Sequence, residues 1–363
     1  MAGSRLNLNC AVRVAKCVAS HNTASNVIIV VGIGGRTVIP KGRRRFIAAL
    51  GGAAVWPLAA RAQQAVVGYL SHGTAEATAS LIGAFRKGLS EIGFAEDHNL
   101  AIEFRWADYK LDRLPELAAD LVRRRVAVIA TPVSTPASLA AKAATSTIPV
   151  VFGVGTDPVQ AGLVASFNRP GGNVTGIVGL NWELGAKRVG LLHDLLPPAA
   201  RLAVLVNPNT PESDPFVKDV QAACASLGRQ IDVVAATNAR EINQAFAALQ
   251  QRAVGAVLIS SDSLFLSRRV QLVGLSLRYA VPALYPWREA VEIGGLMSYG
   301  SSFADLYRQA GIYCGRILKG ERPGDLPVMQ STKFELVINL QTANLLGIGF
   351  PSALLAQADE VIE

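Results

Sequence analysis

The 363-residue sequence is poor in cysteine, with four residues at positions 10, 17, 224 and 314. Cys224 follows Val217 and Val220 at helical spacing, and Cys314 lies among apolar residues in the same way. This spacing predicts two small core side chains, and the sequence leaves open whether Cys224 and Cys314 form a disulfide. No cysteine directly follows position 62, so we expect no lipid anchor there.

Signatures of catalysis and metal binding are also missing. The Gly-x-Ser-x-Gly pattern of a nucleophile elbow is absent, and the glycines in residues 295–300 have the wrong spacing for it. His72, His98 and His193 are isolated, without a His-Glu-x-x-His pattern or a Cys/His cluster. No dinucleotide fingerprint follows the first strand predicted after residue 62. We therefore expect no metal, no cofactor and no enzymatic activity.

Acidic residues are absent from residues 1–62, which hold nine of the 35 lysines and arginines. Removing these nine positive charges from the formal net charge of +8 leaves −1 for residues 63–363. A nucleic-acid-binding domain needs a basic face on its folded part. The charge distribution therefore argues against a nucleic-acid partner.

Residues 41–62 have the three parts of an export signal: basic residues at 41–45, an apolar run over 46–60 and a small-x-small site ending at Ala62. The apolar run is shorter than the roughly 20 residues that span a bilayer, so cleavage after Ala62 is expected. Arg43 and Arg44 also fit a twin-arginine signal, which leaves the export route open. Residues 1–40 show no fold pattern, and we expect translation to start near residues 38–42, with a cytosolic extension as the alternative.

From residue 66 onward, short β-branched runs alternate with amphipathic helical segments. Residues 66–71, 100–106, 126–131 and 148–152 are predicted as strands, and the same alternation of strands and helices returns after residue 200. Residues 93–152 and 228–285 match strand to strand, which indicates one α/β unit used twice. The sequence therefore predicts an α/β protein in which two such units can face each other across a cleft, with ligands at the C-terminal ends of the parallel strands.

A set of motifs resembles a known family across essentially all of residues 63–363. The motifs, in order, are GYLSHG, AFRKGLSEIGF, IEFRWAD, RLPELAADLVRR, NRPGGNVTG, NPNTP, GGLMSYG, GRILKGERPGDLPVMQSTKFELVINL and ADEVIE. They are similar to the ABC transporter substrate-binding proteins, a family that includes tryptophan- and tyrosine-binding members. The resemblance implies a periplasmic-binding-protein type I fold, in which two Rossmann-like lobes with parallel sheets, joined by three hinge strands, close on a small ligand.

The resemblance and the repeat together predict the lobe boundaries. Residues 63–179 with about 301–332 are expected to form lobe 1, and residues 180–300 with about 333–363 lobe 2. Residues 294–300 are expected to carry the chain back to lobe 1, and residues 334–340 to form a third crossing. Several crossings would form a hinge suited to closure around a ligand.

In lobe 1, two loops that follow predicted strands carry hydroxyl groups at helix N-termini, an arrangement that suits a carboxylate. The alternative interpretation is that Thr74 only caps its helix. Asp157 is a candidate partner for a ligand ammonium group, or else an Asx turn before Pro158. The lobe 1 candidates are Ser71, His72, Thr74, Thr131, Ser134, Thr135 and Asp157.

In lobe 2, polar residues again follow the predicted strands, and Asp262 is the second candidate partner for an ammonium group. Tyr285 and Trp287 end a strand and are candidates to stack on an apolar ligand, although aromatic residues there serve core packing more often. Tyr299 lies beside the expected hinge. The lobe 2 candidates are Asn207, Asn209, Ser261, Asp262, Tyr285 and Tyr299.

These observations predict a periplasmic solute-binding protein of an ABC importer. It would be a monomer that binds a small amino acid or related carboxylate and delivers it to an inner-membrane permease with its ATPase. Two other functions stay open at this point: an exported α/β enzyme acting on a small molecule, and a sensory ligand-binding module.

Overall fold

The computed structural model describes residues 64–363, all of which belong to one compact unit. The predicted export signal, its cleavage site after Ala62 and Cys10 and Cys17 lie outside the described residues. Within residues 64–363, no helix combines the length and the apolar character needed to cross a membrane.

Thirteen strands lie in the described range. In chain order they are β1 (Ala65–Ser71), β2 (Leu100–Trp106), β3 (Val128–Thr131), β4 (Val150–Val154), β5 (Val174–Val178), β6 (Leu202–Val206), β7 (Ile231–Ala235), β8 (Ala256–Ile259), β9 (Ala283–Tyr285), β10 (Met297–Ser301), β11 (Met329–Gln330), β12 (Phe334–Asn339) and β13 (Glu360–Ile362).

Helices connect most of these strands. They are α1 (Ala75–Glu91), α2 (Leu114–Arg123), α3 (Thr135–Ala144), α4 (Gly185–Leu195), α5 (Ser213–Ser226), α6 (Ala239–Gln251), α7 (Ser263–Ser267), α8 (Arg269–Arg278), α9 (Arg288–Val291), α10 (Phe303–Leu318), α11 (Leu340–Leu346) and α12 (Ser352–Leu355). Short 3-10 turns cover Leu111–Arg113, Asn181–Leu184 and Pro323–Asp325.

The strands form two sheets. The first sheet has the order β11-β5-β4-β3-β1-β2, and all of its neighbouring strands run parallel. The second sheet has the order β13-β12-β10-β9-β8-β6-β7, and its one antiparallel pair joins β10 to β12. Parallel strands need crossover connections, which the helices between them supply. The predicted α/β class with two predominantly parallel sheets is therefore confirmed.

Strand β4 shows why the parallel strands are almost continuously apolar. Val151 belongs to one hydrophobic cluster, while Val150 and Phe152 belong to another on the opposite face of the sheet. Since successive side chains of a strand point to opposite faces, both faces of the first sheet are buried under helices.

The chain passes between the two sheets three times. It leaves the first sheet after β5, returns between β10 and α10, and leaves again between β11 and β12. The prediction that residues 294–300 and 334–340 are themselves the crossings is wrong. Most of these residues form β10 and β12, which pair from Met297 with Ile338 to Ser301 with Phe334. The backbone groups of these residues are thus hydrogen-bonded within the second sheet, and the crossings lie just beyond the ends of β10 and β12.

Helix α10 returns to the first sheet and packs closely against α1. The contact relies on two glycines: a Cβ on Gly88 would lie 1.9 Å from the Arg308 carbonyl oxygen, and one on Gly311 would lie 2.2 Å from the Phe85 carbonyl oxygen. No side chain larger than hydrogen fits between the two backbones. This contact attaches the returning segment to the first sheet.

Candidate functional site

Two adjoining pockets lie where the loops after the first sheet meet the loops after the second. We call them the apolar pocket and the polar pocket, with empty volumes of about 430 Å³ and about 400 Å³. Val133, Leu266 and Phe303 line both pockets and form their shared wall. A wider outer cleft of about 920 Å³ touches the apolar pocket at His72 and the polar pocket at Asp262. The arrangement matches the expected position at the C-terminal ends of parallel strands.

The apolar pocket is enclosed mainly by hydrocarbon and aromatic side chains. Leu81 on α1 and Tyr307 on α10 join the shared wall to form its lining. The Tyr307 hydroxyl is engaged with the Tyr69 hydroxyl at 3.2 Å. Pockets of this composition bind an apolar or aromatic group and orient it with a few polar groups.

Glu289 on α9 brings a carboxylate into the lining of the apolar pocket. Its Oε2 atom is buried and has no hydrogen-bond partner among residues 64–363. Burial raises the pKa of Glu289 to about 7, because the charged form loses hydration that no neighbour replaces. Arg269 lines the same pocket and opposes this shift, although no salt bridge within the described range joins the two side chains.

His72 lies between the apolar pocket and the outer cleft. Its Nδ1 atom is 2.9 Å from the Ser134 hydroxyl oxygen. Burial, helped by the positive charge of Arg269, lowers the pKa of His72 to about 4. The imidazole is therefore neutral near pH 7, and it presents a fixed polar edge to the pocket without a charge.

Four of the eleven residues that line the polar pocket carry hydroxyl groups. Thr135 begins helix α3, and its hydroxyl lies 3.2 Å from that of Thr156 in the loop after β4. Ser261 and Ser263 face it from the loop after β8 and the start of α7. Hydroxyl groups at the start of this ten-residue helix form a favourable environment for an anion, while the Ala137 N–H already donates to the Ser134 side chain.

Asn181, at the first chain crossing, also lines the polar pocket. Its Oδ1 atom accepts from the Ser301 backbone N–H at 2.9 Å and from an Arg188 guanidinium nitrogen at 3.3 Å. These two donors fix the amide orientation, and Nδ2 has no partner among residues 64–363. Because the atom is buried, this unpaired donor carries a desolvation cost that a ligand acceptor would remove.

Arg188 supports Asn181 from beneath the pocket. It is fully buried, and it also donates to the backbone oxygens of Asn181 at 2.9 Å and Tyr299 at 2.8 Å. Burial without a carboxylate partner lowers the pKa of Arg188 to about 9. The guanidinium links the first crossing to β10, so it holds Asn181 in place relative to the second sheet.

Asp262 is the acid of the polar pocket. Its Oδ1 accepts from the Leu264 backbone N–H at 2.7 Å, which caps helix α7, and its Oδ2 accepts from the Thr210 hydroxyl at 2.5 Å. These bonds hold the carboxylate where the polar pocket meets the outer cleft.

A sequence model described as "ABC transporter substrate binding protein" matches residues 64–362. The chain belongs to this family. The predicted resemblance is therefore confirmed, and so is the periplasmic-binding-protein type I fold. The broader prediction of a solute-binding protein of an ABC transporter is confirmed with it.

Relatives within the family show what this chain is similar to. A tyrosine-binding protein of Clostridioides difficile strain R20291 is 27% identical over 262 residues, which cover 72% of this chain and 75% of that protein. A crystal structure described as the ABC domain in complex with L-Trp, from Streptococcus pneumonia, is 26% identical with a TM-score of 0.74; it covers 83% of this chain and 100% of that one.

A third relative is described as a ligand-free, open structure of a substrate-binding protein with adhesive properties, from Clostridium difficile. It is 25% identical with a TM-score of 0.63, and the match covers 82% of this chain and 99% of that one. The structure of this substrate-binding protein therefore superimposes better on the L-Trp complex than on the open form.

The pockets bring together several residues that the sequence singled out. Ser71 and His72 line the apolar pocket, and Thr135, Ser261 and Asp262 line the polar pocket. Asn207 lines the outer cleft, and its Oδ1 accepts from the Asn209 backbone N–H. Trp287 also lines the polar pocket.

Other lobe 1 candidates lie behind or beside the pockets. Thr74 accepts from the Ala77 backbone N–H and caps α1, and Ser134 caps α3 while it contacts His72. Thr131 is fully buried, with its hydroxyl 2.8 Å from that of Ser138. The Asp157 carboxylate accepts from two backbone N–H groups of its own turn, as in the Asx-turn alternative.

The two tyrosine candidates of the second sheet lie away from the lining of both pockets. Tyr285 is fully buried in the core, and its hydroxyl has no partner among the described residues. Tyr299 on β10 packs near Phe334 and offers its backbone oxygen to Arg188. Their aromatic rings therefore contact protein in this structure.

Sequence reasoning missed several lining residues. Asn181 and Glu289 each follow a strand by a few residues, so the rule that located the other loops would have located them as well. Arg269 begins an internal helix, and Phe303 and Tyr307 lie on α10, which returns from the second sheet. For these three residues only the tertiary fold reveals the position.

Proposed function

We propose that this protein is the solute-binding component of an ABC importer and that its ligand is an amino acid with an apolar or aromatic side chain. One observation carries the proposal: a buried unpaired donor, Asn181 Nδ2, lines the polar pocket, and a mainly apolar pocket adjoins it. The tryptophan and tyrosine named for two relatives agree with this chemistry.

The polar pocket suits the zwitterionic end of such a ligand. The carboxylate would accept from Asn181 Nδ2 and from the hydroxyls of Thr135 and Thr156 at the start of α3 and after β4. The ammonium group, which is bonded to the carbon next to the carboxylate, would lie near the Asp262 carboxylate at the rim of the polar pocket. The side chain would then pass the shared wall into the apolar pocket.

The two lobes are proposed as residues 63–179 with about 301–332, and 180–300 with about 333–363. Each of the two sheets would belong to one lobe, and the three crossings would form the hinge. In the present structure the lobes touch: the Asp157 backbone N–H donates to Glu212 at 3.1 Å, and an Arg269 guanidinium nitrogen lies 3.5 Å from the Tyr109 hydroxyl. The higher TM-score with the L-Trp complex supports the view that this is the closed form.

Export to the periplasm, cleavage after Ala62 and delivery to a permease and its ATPase complete the proposal. Membership of the family supports the transporter partners. A binding role as a monomer, without catalysis, fits the two lobes closing on one ligand. Recovery of the ligand chemically unchanged after prolonged incubation would distinguish this role from that of an exported enzyme.

The experiment is calorimetric titration of residues 63–363 with each L-amino acid, with the corresponding amines and with the corresponding carboxylic acids. We expect binding only when both charged groups are present. Asn181→Asp replaces the donor by an acid and keeps the oxygen that Arg188 and the Ser301 N–H contact. Loss of a charge-assisted hydrogen bond of about 1.5–3 kcal/mol should weaken binding at least tenfold.

Asn344→Asp is the matched control, because Asn344 is exposed on α11. This substitution makes the same chemical change away from the pockets. It should bind the ligand as the unmodified chain does. Equal affinity of Asn181→Asp and the unmodified chain, or binding of amines that lack a carboxylate, would refute the assignment of the polar pocket.

A further inference from the structure

We propose that Glu289 selects ligands whose side chain carries an N–H or O–H donor at its far end. The inference rests on the proposed function, since it assumes that an amino-acid side chain enters the apolar pocket. Glu289 would accept a hydrogen bond from that donor and so act as a specificity-determining residue.

The first step of the argument is the unsatisfied oxygen. Glu289 Oε2 is buried without a partner among residues 64–363, in a pocket whose apolar lining includes Leu81, Leu266 and Phe303. A buried polar atom without a partner costs free energy, and a carboxylate costs more than a neutral group. The residue is therefore poorly suited to an empty or purely hydrocarbon-filled pocket.

The second step is that the hydrogen bonds recorded for the other polar groups of the apolar pocket do not involve Glu289. The Tyr307 hydroxyl is paired with Tyr69, and His72 is paired with Ser134. Arg269 donates to the Leu266 backbone oxygen at 3.2 Å and lies near the Tyr109 hydroxyl. None of these hydrogen bonds involves Glu289 Oε2. A donor on the ligand would therefore supply the hydrogen bond that this oxygen lacks.

The third step is the path of the ligand. With its carboxylate at Asn181, a ligand passes Val133, Leu266 and Phe303 before it reaches the rest of the apolar pocket. These wall residues contact the middle of the side chain and offer it no polar side-chain group. Glu289 belongs to the apolar pocket and not to the polar one, so it meets the far part of the side chain.

Such a site should reject a ligand that fits but lacks the donor. A binding site that has a polar group for a ligand hydroxyl discriminates strongly against the analogue without it, because the buried group is then left unpaired. L-tyrosine against L-phenylalanine is one matched pair, and L-tryptophan against its indole-N-methyl derivative is another.

The test is titration calorimetry of residues 63–363 with these four ligands, for the unmodified chain and for Glu289→Met. The unmodified chain should prefer the donor-bearing member of at least one pair by at least tenfold. Glu289→Met should reduce that preference to less than about threefold, mainly because the donor-bearing ligand binds more weakly to the variant. Circular dichroism and a thermal melt establish that the variant is folded.

Glu292→Met is the matched control, since Glu292 lies on the segment that follows α9 with its carboxylate exposed, and it lines neither pocket. It should keep the preference of the unmodified chain.

Equal affinities of the unmodified chain within both pairs would overturn the inference and leave the proposed function intact. An equal loss for both members of a pair in Glu289→Met would also overturn it, because Glu289 would then hold the ammonium group. Failure to bind any amino acid would overturn the proposed function first, and this inference with it.

Discussion

The buried carboxylate of Glu289 makes the stability of the protein depend on pH in a predictable direction. Its pKa is about 7 in the folded chain, against an ordinary value of 4.5. Burial is the main cause and the charge of Glu292 acts in the same direction, while a backbone hydrogen bond and the charges of Arg269 and Arg288 oppose it. Below pH 4.5 the side chain is neutral in both states. As the pH rises from about 4.5 to about 7 the unfolded chain ionises while the folded chain stays largely neutral, and the stability present at low pH is lost.

Glu289→Gln removes this dependence because the amide resembles the neutral acid at every pH. A difference of about 2.5 pKa units at 1.36 kcal/mol per unit corresponds to about 3 kcal/mol. The variant should therefore gain about 3 kcal/mol of unfolding free energy relative to the unmodified chain between pH 4 and pH 8. His72, whose low pKa acts in the opposite direction, is common to both proteins and cancels in the difference.

The assay is urea unfolding at pH 4 and pH 8, followed by the fluorescence of Trp106, Trp182 and Trp287 and extrapolated to zero denaturant. Glu116→Gln is the control, because Glu116 is exposed on α2. Its stability relative to the unmodified chain should be the same at both pH values. If the Glu289→Gln difference were also the same at both, the desolvation argument would be refuted.

Two further predictions concern packing and the thiols. Gly88→Ala should lower the unfolding free energy by about 3 kcal/mol, because its Cβ would lie 1.9 Å from the Arg308 carbonyl oxygen. Gly83→Ala, on the same helix with no atom within 4 Å, should raise it by about 1 kcal/mol in the same urea assay. Similar effects at the two positions would contradict the close packing of α1 and α10. Cys224 and Cys314 are buried and free, and burial raises the pKa of both thiols. A thiol reagent should therefore label residues 63–363 slowly when folded and at two sites in denaturant without reductant, whereas no labelling there would indicate a disulfide.

Much of the fold could be predicted because its signals are local. The β-branched runs at β1, β4 and β6 are buried on both faces, and a short stretch of sequence is enough to show that. Helix ends could be predicted for the same reason, since a cap involves residues three or four positions apart. Thr74 caps α1, as the alternative interpretation of the sequence held, and Ser134 caps α3.

The chain crossings could not be placed as well. Residues 294–300 and 334–340 were predicted to be crossings between the lobes. Their pairing as β10 and β12 is a contact between segments more than thirty residues apart. No local pattern determines such a pairing, and the backbone hydrogen bonds that it satisfies exist only in the folded sheet.

By itself the sequence determined the α/β class, the repeated unit, the family and the loops after the strands where a ligand is expected. These follow from periodicity, from charge distribution and from motifs, all of which are local or additive along the chain. Only the tertiary structure decided which residues line the two adjoining pockets, because Asn181, Arg269, Glu289 and Phe303 come from four separate segments. It also decided which polar atoms remain unpaired after folding, and those atoms define what the ligand must supply.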